Sequence, residues 1–230
     1  MTMGKTRSWQ ALLLIAASLV PVIYGHATLN FPRSRNWIAR WDTNPPDHYC
    51  PHCGQGKGGQ PGVCGDPFQD GPPFNYFTDK GYYGIRTPDL TEGQVITTEV
   101  EISTNHGGRV SFAVCPLPAS QATQACFNAP QNRLRRVDSN PLYNNKLYYY
   151  MKPTDTVIRT QWRLPEGVSC ENGCLFQWWW LGYQHCYIPC EDTATDDVAG
   201  ECGTNLLNPS VSRCANGYLS TEQFFNCADV

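Results

Sequence analysis

Twelve cysteines, Cys50, Cys53, Cys64, Cys115, Cys126, Cys170, Cys174, Cys186, Cys190, Cys202, Cys214 and Cys227, all follow an apolar N-terminal run. An even set behind such a run reads as a disulfide framework of up to six bridges. Twelve cysteines permit on the order of ten thousand pairings, so the connectivity is not readable from spacing. With 20 Gly, 18 Pro and only 16% charged residues, the chain is expected to be rich in turns and crosslinks and poor in long helices.

The N-terminal run has the tripartite layout of a secretory signal. Met1 to Gln10 carries Lys5 and Arg7 without an acid, Ala11 to Val20 is apolar or small, Pro21 ends the run, and Gly25 is the small residue at the cut. A membrane span needs about 20 apolar residues, more than this stretch offers. The predicted organisation is a signal peptide over 1–25 and a single domain over 26–230, with no internal repeat or linker. Losing Lys5 and Arg7 makes the remainder more acidic than the formal net charge of −3 for the whole chain. That balance argues against nucleic acid or an anionic membrane as partner. A secreted, extracellular monomer is expected.

Alternation of apolar and polar residues predicts strands over Gln94–Ser103, Arg109–Cys115, Thr156–Arg163, Leu175–Tyr183 and Gln223–Val230. In the first, Ile96, Thr98, Val100 and Ile102 share one face; in the second, Val110, Phe112 and Val114 do. Asn105-His106-Gly107-Gly108 is the turn between them. His26 to Arg40 reads as extended, with Pro32 against a helix, and Trp41 to Pro73 as a long loop. Short strands without an amphipathic helix predict an all-β, antiparallel sandwich of immunoglobulin-like type with long disulfide-stapled loops.

Five histidines are candidates for chemistry: His26, His48, His52, His106 and His185. No zincin motif, nucleophile elbow or phosphate loop accompanies them. Cys50-x-x-Cys53 with His52 and Cys64 resembles part of a zinc site, but disulfides are the expected state in an oxidising compartment. His48 and His52 then remain loop residues, and His185, among Tyr183, Cys186 and Tyr187, reads as structural or surface. His26 is different if the signal is cut before it. Its free α-amine, with a pKa of roughly 7.7–8.0, loses a proton readily to a metal and joins its own ring as a second nitrogen donor. With the ring of His106, the set is three nitrogens with no thiolate or carboxylate beside them, a donor type that suits Cu(II).

The post-leader His26, the following Pro32-Arg33-Ser34-Arg35, Cys64-Gly65-Asp66-Pro67-Phe68, the strand-turn-strand from Val100 to Pro116 around His106, Cys174-Leu175-Phe176-Gln177-Trp178, and the closing Phe224 to Val230 form a pattern. It resembles the lytic polysaccharide monooxygenases, once grouped as chitin-binding proteins, and within them auxiliary activity family 15. The resemblance spans His26 to Val230. It implies an immunoglobulin-like sandwich with a flat copper face and a histidine brace made by the amine and ring of His26 with the ring of His106. It further implies an axial aromatic at Phe224 and a polar group near the metal at Gln177. Thr104 stands where many relatives carry alanine, and Trp178-Trp179-Trp180 with the segment Cys50 to Gln60 departs from the family pattern.

The implied activity is oxidative cleavage of crystalline polysaccharide, chitin before cellulose, at C1. It requires one copper ion cycling between Cu(II) and Cu(I), an external electron donor, and H2O2 or O2. Trp37, Trp41 and Tyr49 are candidates for stacking on sugar rings. Two rivals share the fold: a polysaccharide-binding matrix protein without turnover, and a copper carrier using the same brace. Oxidised oligosaccharides formed only with a reductant separate the enzyme from both.

Overall fold

The computed structural model describes residues 27–39, 62–66, 81, 90–192, 200–203, 210–215 and 221–230. Two four-stranded sheets face each other. The first has the order β1 (Ala27–Phe31), β2 (Val95–Ile102), β6 (Val157–Arg163), β4 (Arg135–Val137). The second has the order β10 (Gln223–Asp229), β7 (Leu175–Leu181), β3 (Arg109–Cys115), β5 (Tyr149–Tyr150). Every pairing within these two sheets is antiparallel. A two-residue parallel pair, β8 (Cys186–Tyr187) with β9 (Ser212–Arg213), is the one departure from that rule among the described strands.

The predicted strands are present with ends trimmed by one or two residues. Their even-numbered faces meet in the core: Ile96, Val100 and Ile102 of β2 and Ile158 and Trp162 of β6 pack against Val110, Phe112 and Val114 of β3 and Phe176, Trp178 and Trp180 of β7. Period-two alternation puts these residues on one side of each pleat, and burying that side holds the sheets together. Asn226, fully buried in this core, accepts a hydrogen bond from the Leu29 amide at 3.0 Å, linking β10 of one sheet to β1 of the other.

β3 and β7 are buried along their whole length, unlike β2, whose odd positions are mostly exposed. The cause is a further layer over the second sheet. Ala113, Cys115, Leu175 and Cys227 pack under Cys64 and Phe127, the latter on α2 (Gln124–Asn128), while Trp179, Leu181 and Phe225 pack with Ile188. The triple tryptophan is therefore core on both faces of β7 and offers no platform to a ligand.

One expectation needs correction. The stretch from His26 to Arg40 is not extended throughout, because α1 (Arg35–Ala39) follows β1. Pro32 lies ahead of that helix and so does not oppose it. The Ser34 hydroxyl accepts from the Trp37 amide at 3.0 Å, and Arg35 is pinned to Asp229 through two hydrogen bonds of 3.0 and 2.7 Å. The short α2, capped by Thr123, was likewise not anticipated from periodicity.

Five disulfides join Cys64–Cys227, Cys115–Cys126, Cys170–Cys174, Cys186–Cys214 and Cys190–Cys202. Among the described residues no cysteine is free. The bridge to Cys227 removes Cys64 from any zinc site. Cys50, Cys53, His48 and His52 lie outside the described residues.

Candidate metal centre

The turn after β2 is built so that His106 has little freedom. Asn105 Oδ1 accepts from the Gly107 amide at 2.7 Å, closing a local turn. Gly107 and Gly108 follow with positive φ, 65° and 93°. At Gly108 a side chain is sterically excluded, because a Cβ would overlap the Leu181 carbonyl and crowd the Cα of Gly182. This close approach lets the Tyr183 amide donate to the His106 carbonyl at 3.2 Å and the Trp180 indole donate to the Gly107 carbonyl at 2.8 Å.

The imidazole itself rests on aromatic rings. His106 stacks with Trp180 at 5.6 Å between centroids and with Phe224 at 6.0 Å. Trp180 and Phe224, paired across β7 and β10, are both fully buried. Glu222 Oε2 lies 4.0 Å from His106 Nε2, and the two side chains are 20% and 17% exposed. Glu222 is held by its backbone, whose carbonyl accepts from the Gly182 amide at 2.9 Å, while the neighbouring Thr221 hydroxyl donates to the Gly182 carbonyl.

His26 lies outside the described residues. Ala27, the residue after it, is buried and pairs with Ile102, four positions before His106. Phe224 is brought into stacking contact with His106. Gln177 is not: it lies on the opposite face of β7 from Trp180, three residues earlier in the strand. Its amide donates to the Val63 carbonyl at 2.6 Å and exchanges hydrogen bonds with Gln124 at 3.0 and 3.2 Å. That network fastens α2 and the Cys64 segment to the sheet. His185 is exposed.

Two residues at this site escaped sequence reasoning. Trp180 was masked by its tryptophan neighbours, though its spacing of two from Trp178 already put it on the core face. Glu222 precedes the closing strand in a stretch with no periodic signal; its separation of two from Phe224 was the available hint. Trp37 goes the other way. Ser34 bridges to Ala228, at the end of β10 about 13 Å from Phe224 by strand rise, and Arg33 covers the Trp37 ring at 4.3 Å. Trp37 is therefore remote from His106. Trp41 and Tyr49 lie outside the described residues.

Among the described residues no group of three or more His, Cys, Asp or Glu side chains converges. His106 can thus serve a metal only with donors from elsewhere, as a brace completed by His26 would require. The chemistry of what is present fits copper. An imidazole is on hand, the Glu222 carboxylate stands beside it where an all-nitrogen setting was expected, and no described cysteine is free to offer a thiolate.

Fold and site together describe an immunoglobulin-like β-sandwich with a histidine displayed at one end of its sheets. The family model described as "lytic polysaccharide mono-oxygenase, cellulose-degrading" matches residues 26–230, and the chain belongs to that family. It is a copper-dependent lytic polysaccharide monooxygenase, an enzyme of oxidative polysaccharide cleavage. The auxiliary activity family 15 lytic polysaccharide monooxygenase of Thermobia domestica, in its Cu(I) state, has the same fold: TM-score 0.56, 22% identity, with 89% of this chain and 97% of that one covered. A family 10 enzyme from Streptomyces lividans aligns with TM-score 0.45 and 14% identity over 89% of this chain and 99% of that one. Among curated protein sequences none matches significantly. No helix among the described residues is long and apolar enough to cross a membrane.

Proposed function

We propose that the amine and ring of His26 and the ring of His106 would hold a single copper ion, with Phe224 packed against the His106 ring, in a secreted monomer that oxidises crystalline chitin at C1. The observation that carries this reading is the seat of His106: an imidazole backed by Trp180 and Phe224 in a turn that admits no side chain at Gly108. Bound there, copper supplies one-electron redox chemistry, with an external reductant and H2O2 or O2 as cosubstrate.

The chain's own residues do the rest. Trp180 and Phe224 exclude water behind the imidazole and fix its plane. The carboxylate of Glu222 gives a fixed acceptor beside Nε2, able to orient a polar cosubstrate or a water. Chitin is favoured over cellulose by the polar rim. Lys152, Pro153 and Thr154 are exposed beside the turn, and Gln184 is half-buried. Such a rim matches the amide groups of N-acetylglucosamine better than a bare glucan. The five disulfides support an oxidising, extracellular setting.

The test is mass spectrometry of soluble products from chitin and from cellulose, with and without reductant. Aldonic acid termini from chitin, formed only with reductant, are expected. Products from cellulose alone, or oxidation at C4, would contradict the substrate and position assigned here.

A further inference from the structure

Asn105 makes contacts that reach beyond its own turn. Besides accepting from Gly107, its amide nitrogen donates to the carbonyls of Lys152 at 2.8 Å and Asp155 at 3.1 Å. Those carbonyls belong to a tight loop with its own lock. Asp155 Oδ2 accepts from the Lys152 amide at 2.7 Å and from the Tyr149 hydroxyl at 2.9 Å, while the Asp155 amide donates to the Lys152 carbonyl at 3.0 Å. Burial, then the Asp155 carboxylate, pushes the Tyr149 phenol upward, so it stays a donor at any working pH. At the loop's start the Met151 amide donates to the Gly108 carbonyl at 2.9 Å. The tip, Lys152 to Thr154, is exposed.

We infer that Asn105 is a positioning residue, a clamp that fixes the turn bearing His106 to the exposed loop 152–155, so that ring orientation and the adjoining rim of the substrate face are set together. It rests on the reading of His106 as a copper ligand. One planar amide uses both donors and its acceptor, leaving the turn a single arrangement relative to the loop. Without the clamp the ties from Met151, Tyr183 and Trp180 remain, so the fold persists while the turn loses its fixed register against the loop. The imidazole, one residue on, still has its plane set by Trp180 and Phe224, but it can slide and rotate within that plane.

Three variants test this: Asn105→Ala; Asn105→Ser, whose hydroxyl can still accept from Gly107 but cannot reach the loop; and Tyr149→Phe, which loosens the loop from its far side. In copper-free protein, amide exchange at Lys152 and Asp155 should quicken at least about tenfold in Asn105→Ser, with the melting temperature little changed. In copper-loaded protein, Cu(II) affinity should fall by about 10–100-fold and the electron paramagnetic resonance hyperfine splitting should shift, with Tyr149→Phe moving both less. Unchanged exchange, or an Asn105→Ser spectrum and affinity equal to wild type, would overturn the clamp. Wild-type protein failing to bind copper tightly would instead defeat the underlying ligand assignment, and the exchange arm would still read the clamp. If Asn105→Ala fails to fold, the other two variants decide.

Discussion

Trp180 and Phe224 stack with 4.2 Å between ring centroids, and the same two rings form the wall behind His106. Structural core and candidate centre are thus one cluster. Phe224→Ala and Trp180→Ala should each cost about 3–5 kcal/mol in the copper-free protein, as expected for emptying a packed aromatic site. Because the rings touch, the double variant should deviate from additivity in a denaturant titration. Phe224→Ala should also alter the copper spectrum more than copper affinity, since a phenyl ring donates no lone pair.

Gly108 offers a sharper backbone test. At φ 93° and against the Leu181 carbonyl, alanine has no room, so Gly108→Ala should cost about 3 kcal/mol or more. Gly93, at φ 68° with nothing within 4 Å of its missing Cβ, is the control, and Gly93→Ala should cost only about 1 kcal/mol. Equal losses in thermal unfolding would show that the approach of Gly108 to Leu181 is not tight.

The disulfide framework predicts almost no reactive thiol in unfolded, unreduced protein. Two or more titratable thiols would break the expected pairing of all twelve cysteines. Replacing Cys64 and Cys227 by serine opens a link across 163 residues and should cost about 5 kcal/mol on the chain-entropy account. Replacing Cys170 and Cys174, separated by 4, should cost much less.

Acid stability should report on Asp138. Desolvation raises its pKa, but acceptance from the Asn140 amide and the Arg136 guanidinium outweighs this and holds the carboxyl below its ordinary value of 3.8. A depressed folded value means the contribution is full above 3.8 and lost as pH falls through the folded value. Asp138→Asn should therefore weaken the decline of stability below about pH 4. Glu201, raised by burial despite Arg136, has the opposite sign: its contribution is full below 4.5 and lost as pH rises through the folded value. Unfolding free energies measured from about pH 2.5 to 6 separate the two.

Much of this was legible in residues with a period. Ile96, Val100 and Ile102 declared their face because the other side of β2 meets water, and the even positions of β3 because its odd positions, Arg109, Ser111, Ala113 and Cys115, are polar or small even though they too are buried. The two- and three-residue strands β4, β5, β8 and β9 are too short to show alternation, and α1 and α2 rest on local caps, Ser34 and Thr123. Phe224 was singled out by the resemblance of the closing strand, and the fold sets it against the His106 ring. Gln177 was misplaced because a fully buried strand has no polar face to reveal which way its one amide points. The contact of Glu222 with His106 joins residues 116 positions apart in sequence, a relation that only the folded sheets create.

If His26 and His106 hold the copper, the terminal amine of His26 is indispensable to it. One extra residue ahead of His26 turns that nitrogen into a planar amide, a poor ligand, and leaves both imidazoles intact. Oxidised products and adsorption to chitin should be measured in parallel for the native and the extended protein. Loss of oxidised products with adsorption retained is predicted; equal product yield from both forms would contradict the brace.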